Sequence, residues 1–78
     1  MKLTINYFGM IAEAIGSSKA EFEFHGKRVS DLKQELENTF PELEGMSYQI
    51  AVNQKLVSTE IVIAEQDEIA VLPPFAGG

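Results

Sequence analysis

Residues 67–78, DEIAVLPPFAGG, join a strand-like segment to a terminus that cannot continue a sheet. Ile69 and Val71 alternate with less apolar neighbours, which predicts a last strand over residues 68–72 after a turn at Gln66-Asp67. The two prolines that follow lack the N–H groups that a sheet ladder needs. We therefore expect residues 73–78 to leave the folded body as a tail.

That tail has the properties of a carrier arm. Its prolines favour an extended, stiff path, and six residues span at most about 20 Å. The two final glycines have no side chain, so they fit a narrow channel. The residues expected to thread a partner's active site are Pro73, Pro74, Phe75, Ala76 and Gly77. Gly78 would present its carboxylate there.

The carboxylate of Gly78 is unreactive until it is activated. A partner that uses ATP could convert it into an acyl-adenylate, from which a sulfur nucleophile would displace the leaving group. The product would be a thiocarboxylate. Because the chain contains no cysteine, both the sulfur and the ATP site must be supplied by partners.

Composition narrows the classes of function. A chain of 78 residues forms one domain with little core to spare for an enclosed active site. Its net charge of −6 disfavours nucleic acid as a partner. No leader-like segment precedes the first strand and no apolar run approaches the ~20 residues of a membrane span, so we expect a cytoplasmic protein without membrane contact.

Upstream of the last strand, the hydrophobic pattern predicts an α+β domain. Strands are expected over residues 2–8, 20–25, 48–53 and 55–58, with a turn near Asn53-Gln54. A short helix over residues 10–15 would pack through Met10, Ile11, Ala14 and Ile15 and stop at Gly16. The main helix, residues 29–40, would be capped by Ser30 and ended by Pro41. This order predicts a mixed sheet of about five strands packed on one main helix, with residues 1–72 as the domain.

Four stretches of the chain resemble one family. They are YFGM at residues 7–10 with the short helix after it, the helix of residues 29–36, AVNQ at residues 51–54, and DEIAVLPPFAGG at residues 67–78. On these residues the chain resembles the small, sulfur-carrying subunit of molybdopterin synthase, which has a ubiquitin-like β-grasp fold.

The resemblance implies a specific reaction sequence. Gly78 would be adenylated by a ubiquitin-activating-like enzyme, loaded from a sulfur-donor system, and inserted into the large subunit of the synthase. Sulfur would pass there to a cyclic pyranopterin phosphate and build the molybdopterin dithiolene. The resemblance implies a heterotetramer of two small and two large subunits, with no cofactor bound to this chain and ATP used by the activating partner. The chain would be a sulfur-donating subunit rather than a stand-alone enzyme.

Two apolar residues are out of phase with the alternation of their strands. Phe8 and Leu72 fall on otherwise polar strand faces, which the β-grasp fold would place side by side, and Leu56 would join them. We expect these three residues to form a docking patch at the root of the tail, used by both partners in turn.

Other signals indicate no chemistry of their own. His25 is the only histidine, and the acidic pairs, such as Glu35 and Glu37, are typical of solvated faces. Two alternatives share the terminal Gly-Gly: a sulfur carrier for the thiamine thiazole or another sulfur-containing product, and a ubiquitin-like modifier or interaction module. The short helix and the Pro-Pro-Phe stretch favour the molybdopterin pathway.

Overall fold

The computed structural model describes residues 1–74 of the chain, which form five strands and two helices. In chain order these are β1 (Lys2–Tyr7), α1 (Gly9–Ile15), β2 (Lys19–Glu23), α2 (Val29–Thr39), β3 (Gln49–Val52), β4 (Lys55–Leu56) and β5 (Glu68–Leu72), with a 3-10 turn, Pro41–Gly45, after α2. Every predicted element is present. The largest differences in bounds are at β4, which has two residues rather than four, and at β2, which ends two residues early.

The strands form one mixed sheet in the order β2-β1-β5-β3-β4. The first and last strands, β1 and β5, are parallel neighbours at its centre, whereas the other pairs are antiparallel. The main helix α2 packs its buried residues into the core on one face of this sheet. The α+β, β-grasp architecture predicted from the sequence is therefore confirmed.

Alternation along the strands explains the core. Leu3, Ile5 and Tyr7 of β1 and Ile69 and Val71 of β5 are all at most 2% exposed. The main helix packs against these strand residues through side chains spaced three and four residues apart, which lie on one face of a helix. Those helix residues are Val29, Leu32 and Leu36. Each fully buried aliphatic side chain contributes about 1.5–3 kcal/mol relative to exposure, so this layer dominates the stability of the domain.

The start of α2 differs from the prediction. The N-cap position is Arg28 rather than Ser30, and the helix begins at Val29. The Oδ2 atom of Asp31 accepts hydrogen bonds from the backbone N–H groups of Lys27, at 3.0 Å, and Arg28, at 2.9 Å. These two bonds hold the pKa of Asp31 below its usual value. A carboxylate from the first turn therefore replaces the hydroxyl cap that we expected.

The packing face of α1 also needs correction. Ile11 is fully buried, as predicted, but Met10 is 51% exposed, and Ala12 packs on the core with Ile15. The helix follows directly from the extended Phe8, so the path of β1 sets the rotation of its first turn, and the apolar pattern of residues 10–15 does not. The predicted stop is confirmed, since Gly16 has a left-handed φ of 86° and its N–H donates to the carbonyl of Ala12.

Candidate functional site

Phe8 lies at the junction of β1 and α1 and is fixed by backbone bonds on both sides. Its N–H donates to the carbonyl of Val71 at 3.1 Å, which extends the β1–β5 ladder by one residue. Its own carbonyl accepts from the N–H of Ile11 at 3.1 Å and so starts the helix. Because its backbone is extended, the strand alternation continues through Phe8 and directs its side chain away from the core. The ring is 47% exposed.

The parallel register brings Phe8 beside Leu72. Asn6 is paired with Ala70 and Tyr7 with Val71, so the next step along the two strands places Phe8 opposite Leu72. Both side chains lie on the outer face, because the residues just before them, Tyr7 and Val71, are buried on the inner face and side chains alternate along a strand. The structure thus brings together two of the three residues of the predicted docking patch at the end of β5.

Leu56 lies on the same outer face, two strands away. It is paired with Ala51 of β3, which is paired in turn with Ala70 of β5. Leu56 is 47% exposed, whereas Ala51 is almost completely buried although it is on the outer face. Small apolar residues therefore connect Leu56 to the other two members of the docking patch. Ala51 and Ala70 were not predicted as part of this surface, because only the cross-strand register puts them in one row.

The root of the tail is anchored to the domain. Pro73, the first residue of the predicted tail, is buried, whereas Pro74 is exposed. Gly9 has a positive φ of 57°, and a Cβ placed on it would lie 3.0 Å from Cγ of Pro73. A glycine therefore provides both the backbone conformation and the space that this proline occupies. This contact between chain segments that are distant in sequence was not foreseen.

The remaining tail positions fall beyond the described part of the chain. Phe75, Ala76, Gly77 and Gly78 lie outside residues 1–74, so their predicted roles stay predictions. The boundary between a domain of residues 1–72 and a tail of residues 73–78 also stays a prediction. What the structure adds is that the segment leading to Gly78 starts from a buried proline beside the docking patch.

The acidic residues set aside earlier have structural contacts. A carboxylate oxygen of Glu35 accepts from the backbone N–H of the exposed His25 at 3.0 Å. Glu37 accepts from the hydroxyl of Tyr48. That bond adds to the effect of burial, which is the larger cause, in raising the pKa of Tyr48. These carboxylates are thus engaged in holding the helix to the sheet.

Residues 1–74 contain no arrangement of three or more His, Cys, Asp or Glu side chains that could hold a metal ion. Within the same range, neither helix is long and apolar enough to cross a membrane. The groups brought together at the described end of β5 are apolar, so they suit contact with another protein rather than acid–base chemistry.

Comparison with known proteins assigns the chain to a family. Residues 5–78, which include both the docking patch and the tail, match the ThiS family. The chain belongs to the ThiS family. This ThiS-family chain is also 33% identical over 82 residues to the molybdopterin synthase sulfur carrier subunit of Mycobacterium tuberculosis, with 100% of this chain and 99% of that protein covered.

Solved structures with the same fold support the assignment. A Pyrococcus furiosus protein assigned as subunit 1 of a molybdopterin converting factor superposes with a TM-score of 0.87 at 26% identity, covering 95% of this chain and 98% of that one. The archaeal protein SAMP1 from Haloferax volcanii gives a TM-score of 0.81 at 24% identity over the full length of both chains. The second likeness shows only that this ThiS-family chain shares the ubiquitin-like fold.

Proposed function

We propose that this chain is the sulfur carrier subunit of a molybdopterin synthase and that it carries sulfur as a thiocarboxylate at Gly78. The observation that supports this most directly is the anchored tail root, where buried Pro73 packs at Gly9 next to the exposed Phe8 and the half-buried Leu72. A partner that covers the docking patch would be positioned beside the start of the tail. The relative in Mycobacterium tuberculosis, which bears the name of such a subunit, supports the same function.

The proposed loading has two steps. A carboxylate oxygen of Gly78 attacks the α-phosphorus of ATP bound to a ubiquitin-activating-like enzyme, and pyrophosphate leaves. A sulfur nucleophile from a donor system then attacks the acyl carbon, and AMP leaves with the electrons of the broken C–O bond. The chain supplies only the carboxylate, in agreement with its lack of cysteine.

The proposed delivery uses the large subunit of the synthase. The thiocarboxylate sulfur would form a bond to a carbon of the cyclic pyranopterin phosphate as a C–O bond of that carbon breaks and its oxygen leaves with the electron pair. Water would then cleave the bond between the acyl carbon and sulfur, which restores the carboxylate of Gly78 and leaves the sulfur on the substrate. Two rounds would build the dithiolene. A structural relative of this chain occurs in the complex of subunits 1 and 2 of molybdopterin-converting factor from Helicobacter pylori. It superposes on this chain with a TM-score of 0.67 at 23% identity, which shows the same fold. We extend the proposal to a heterotetramer of two small and two large subunits in the cytoplasm.

The docking patch explains how two partners could use one small protein. Phe8 and Leu56 are half exposed, and covering them would remove apolar area from water without disturbing the core. Because the same patch would serve the activating enzyme and the large subunit, their binding would be mutually exclusive. That exclusion would keep loading and delivery as separate binding events.

The loading step can be tested by intact-mass spectrometry. The full chain is incubated with its adenylating enzyme, ATP and a sulfur donor, and we expect the mass to rise by the difference between one sulfur and one oxygen atom. Deletion of Gly78 should abolish this change while leaving thermal stability nearly unchanged, because a terminal residue contributes little to the core. The Glu60→Gln variant, altered at an exposed site with the tail intact, should load normally.

Two outcomes would contradict the proposal. An unchanged mass, under conditions that load an established carrier, would show that Gly78 is not the acceptor. A mass increase equal to that of another protein less one water, as in an amide bond to a lysine amine, would instead favour a ubiquitin-like modifier.

A further inference from the structure

The second strand, β2, lies at one edge of the sheet. It pairs with β1 along its whole length, Lys19 to Glu23, and the sheet order gives it no other neighbour among residues 1–74. An edge strand presents backbone N–H and C=O groups that a further extended segment could pair with. The other edge, β4, is only two residues long and offers much less.

The backbone register identifies the groups that point outward. Phe24 donates to the carbonyl of Met1 at 2.7 Å and accepts from its amino group at 2.8 Å, while Tyr7 donates to Ser18 at 2.9 Å. In an antiparallel pair the residues that face their partner alternate, so residues 20 and 22 bond to β1. Glu21 and Glu23 therefore direct their N–H and C=O groups away from the sheet.

Neighbouring positions on this edge are already occupied. Lys19 also points outward, but its N–H donates to Oγ of Ser17, at 3.3 Å, and its carbonyl accepts from the same hydroxyl at 3.0 Å. At the other end, the N–H of His25 is bonded to Glu35. The open part of the edge is thus confined to Glu21 and Glu23, which sets both the position and the register of any added strand.

A groove of about 660 Å³ runs alongside this edge, between β2 and α2. The half-buried rings of Phe22 and Phe40 provide its apolar surface. The remaining lining residues are polar or charged: Glu21 and Glu23 of β2, His25 just after it, and Glu35, Asn38 and Thr39 of α2. A strand added to β2 would direct every second side chain into this groove, because side chains alternate between the faces of a sheet.

The charges around the groove select one kind of occupant. Glu21 and Glu23 direct their carboxylates to the outer face of the edge, and Glu35 adds a further negative charge on the groove side. A carboxylate oxygen of Glu23 also lies 3.2 Å from the amino terminus. A second copy of this chain, paired edge to edge through β2, would bring its own glutamates against these, which is unfavourable for residues directly opposite. A segment with lysine or arginine at those positions would be stabilised.

We propose that β2 accepts an extended segment of a partner protein in which basic residues alternate with apolar residues. Main-chain bonds to Glu21 and Glu23 would extend the sheet by one strand. The basic side chains would lie opposite these two glutamates on the outer face, and the apolar side chains would enter the groove over Phe22 and Phe40. This inference does not rest on the proposed function, since it uses neither the tail nor the docking patch.

The test uses the full chain labelled with ¹⁵N and an acetylated, amidated peptide of sequence KVRVKVK. On binding, the amides of Glu21 and Glu23 should become protected from hydrogen exchange, because they gain strand partners.

Replacing both residues, Glu21→Gln with Glu23→Gln, should weaken binding about fivefold through loss of two cross-strand charge pairs. The matched control is Glu60→Gln with Glu65→Gln, which removes the same charge from exposed sites outside the groove. Its binding should change less than about twofold.

Several results would overturn the inference. If both double variants lost the same peptide affinity, binding would be a diffuse response to net charge. The same would follow if the shuffled peptide KKRKVVV, which lacks the alternation, bound as tightly as KVRVKVK. Binding without protection of the two amides would place the peptide elsewhere. Absence of saturable binding at millimolar peptide would mean that Glu21 and Glu23 only prevent strands of other proteins from pairing with this edge.

Discussion

The inner and outer faces of the two central strands use apolar residues for different purposes. On the inner face, Leu3 and Ile5 of β1 and Ile69 of β5 are completely buried. On the outer face of the same strands, Phe8 remains 47% exposed next to Leu72. One face removes its apolar area from water during folding, whereas the other leaves part of it in water, where the proposed docking patch would offer it to a partner.

Residues expected to contribute to stability therefore lie directly beside residues proposed to contribute to binding. Tyr7 and Phe8 are adjacent in sequence, but Tyr7 packs its ring edge-on to Phe40, at 6.3 Å between centroids, and Phe8 faces solvent. We therefore expect substitutions on the inner face to change the free energy of unfolding and substitutions on the outer face to change binding. The following tests can break or refine that separation.

The largest effect should come from Ile69→Ala on the inner face of β5. Ile69 is fully buried at the centre of the sheet, so truncation removes packed atoms and leaves a cavity. We expect the free energy of unfolding in urea to fall by about 2–5 kcal/mol. Leu72→Ala, on the outer face of the same strand, should cost less than about half as much. Equal losses would mean that the two faces do not differ as proposed.

On the outer face, Phe8→Ser should weaken binding rather than folding. We expect affinity for the activating enzyme and for the large subunit to fall about tenfold, since an exposed aromatic residue at a docking site is a typical binding determinant. Ile61→Ser is the matched control, because Ile61 is similarly exposed, at 43%, in the segment that bonds to the start of α2. Both affinities can be measured by calorimetry. A loss for Ile61→Ser equal to that for Phe8→Ser would place the docking surface elsewhere.

A smaller effect is expected at the polar link between α2 and β3. Tyr48→Phe removes the hydroxyl that donates to Glu37 but keeps the ring, whose centroid lies 4.9 Å from Nζ of Lys33. The free energy of unfolding should fall by about 1 kcal/mol. Burial, and secondarily the bond to Glu37, raises the pKa of Tyr48 in the folded chain. Its contribution is therefore complete below the unfolded value near 10.0 and is lost as pH rises above it. Alkaline unfolding curves that match for the two proteins would contradict this reasoning.

The smallest effect should be the acid dependence from Asp31. Backbone bonds lower its folded pKa below the ordinary value of 3.8, so its contribution is present above that value and is lost as pH falls through the folded pKa. Asp31→Asn should reduce the loss of stability in acid, measured as melting temperature against pH. Glu60→Gln removes the same charge from another exposed position and serves as the control. If both variants gave the same profile, the backbone bonds of Asp31 would not be the cause.

Local patterns predicted most of the fold and part of the site. Alternation correctly placed the inner faces of β1 and β5, and Asn53-Gln54 was confirmed as a turn, with positive φ values of 53° and 69°. Prediction from residue type failed where a neighbouring side chain competes for the same backbone N–H groups at the start of a helix. Ser30 was a plausible cap by residue type, but Asp31 reaches the same loop with a charged acceptor, which makes stronger bonds to backbone N–H groups.

The sequence by itself determined which residues form strands and helices and which faces are apolar, because periodicity, prolines and glycines act over a few neighbouring residues. From the same kind of local signal it predicts that the final residues suit a carrier arm. Only the tertiary structure placed Phe8 beside Leu72, buried Ala51 between two strands, and seated Pro73 against Gly9. It also left the Glu21 edge without a strand partner among the residues described. These features depend on pairing and register between distant segments, which the packing of the whole sheet decides and no local pattern specifies.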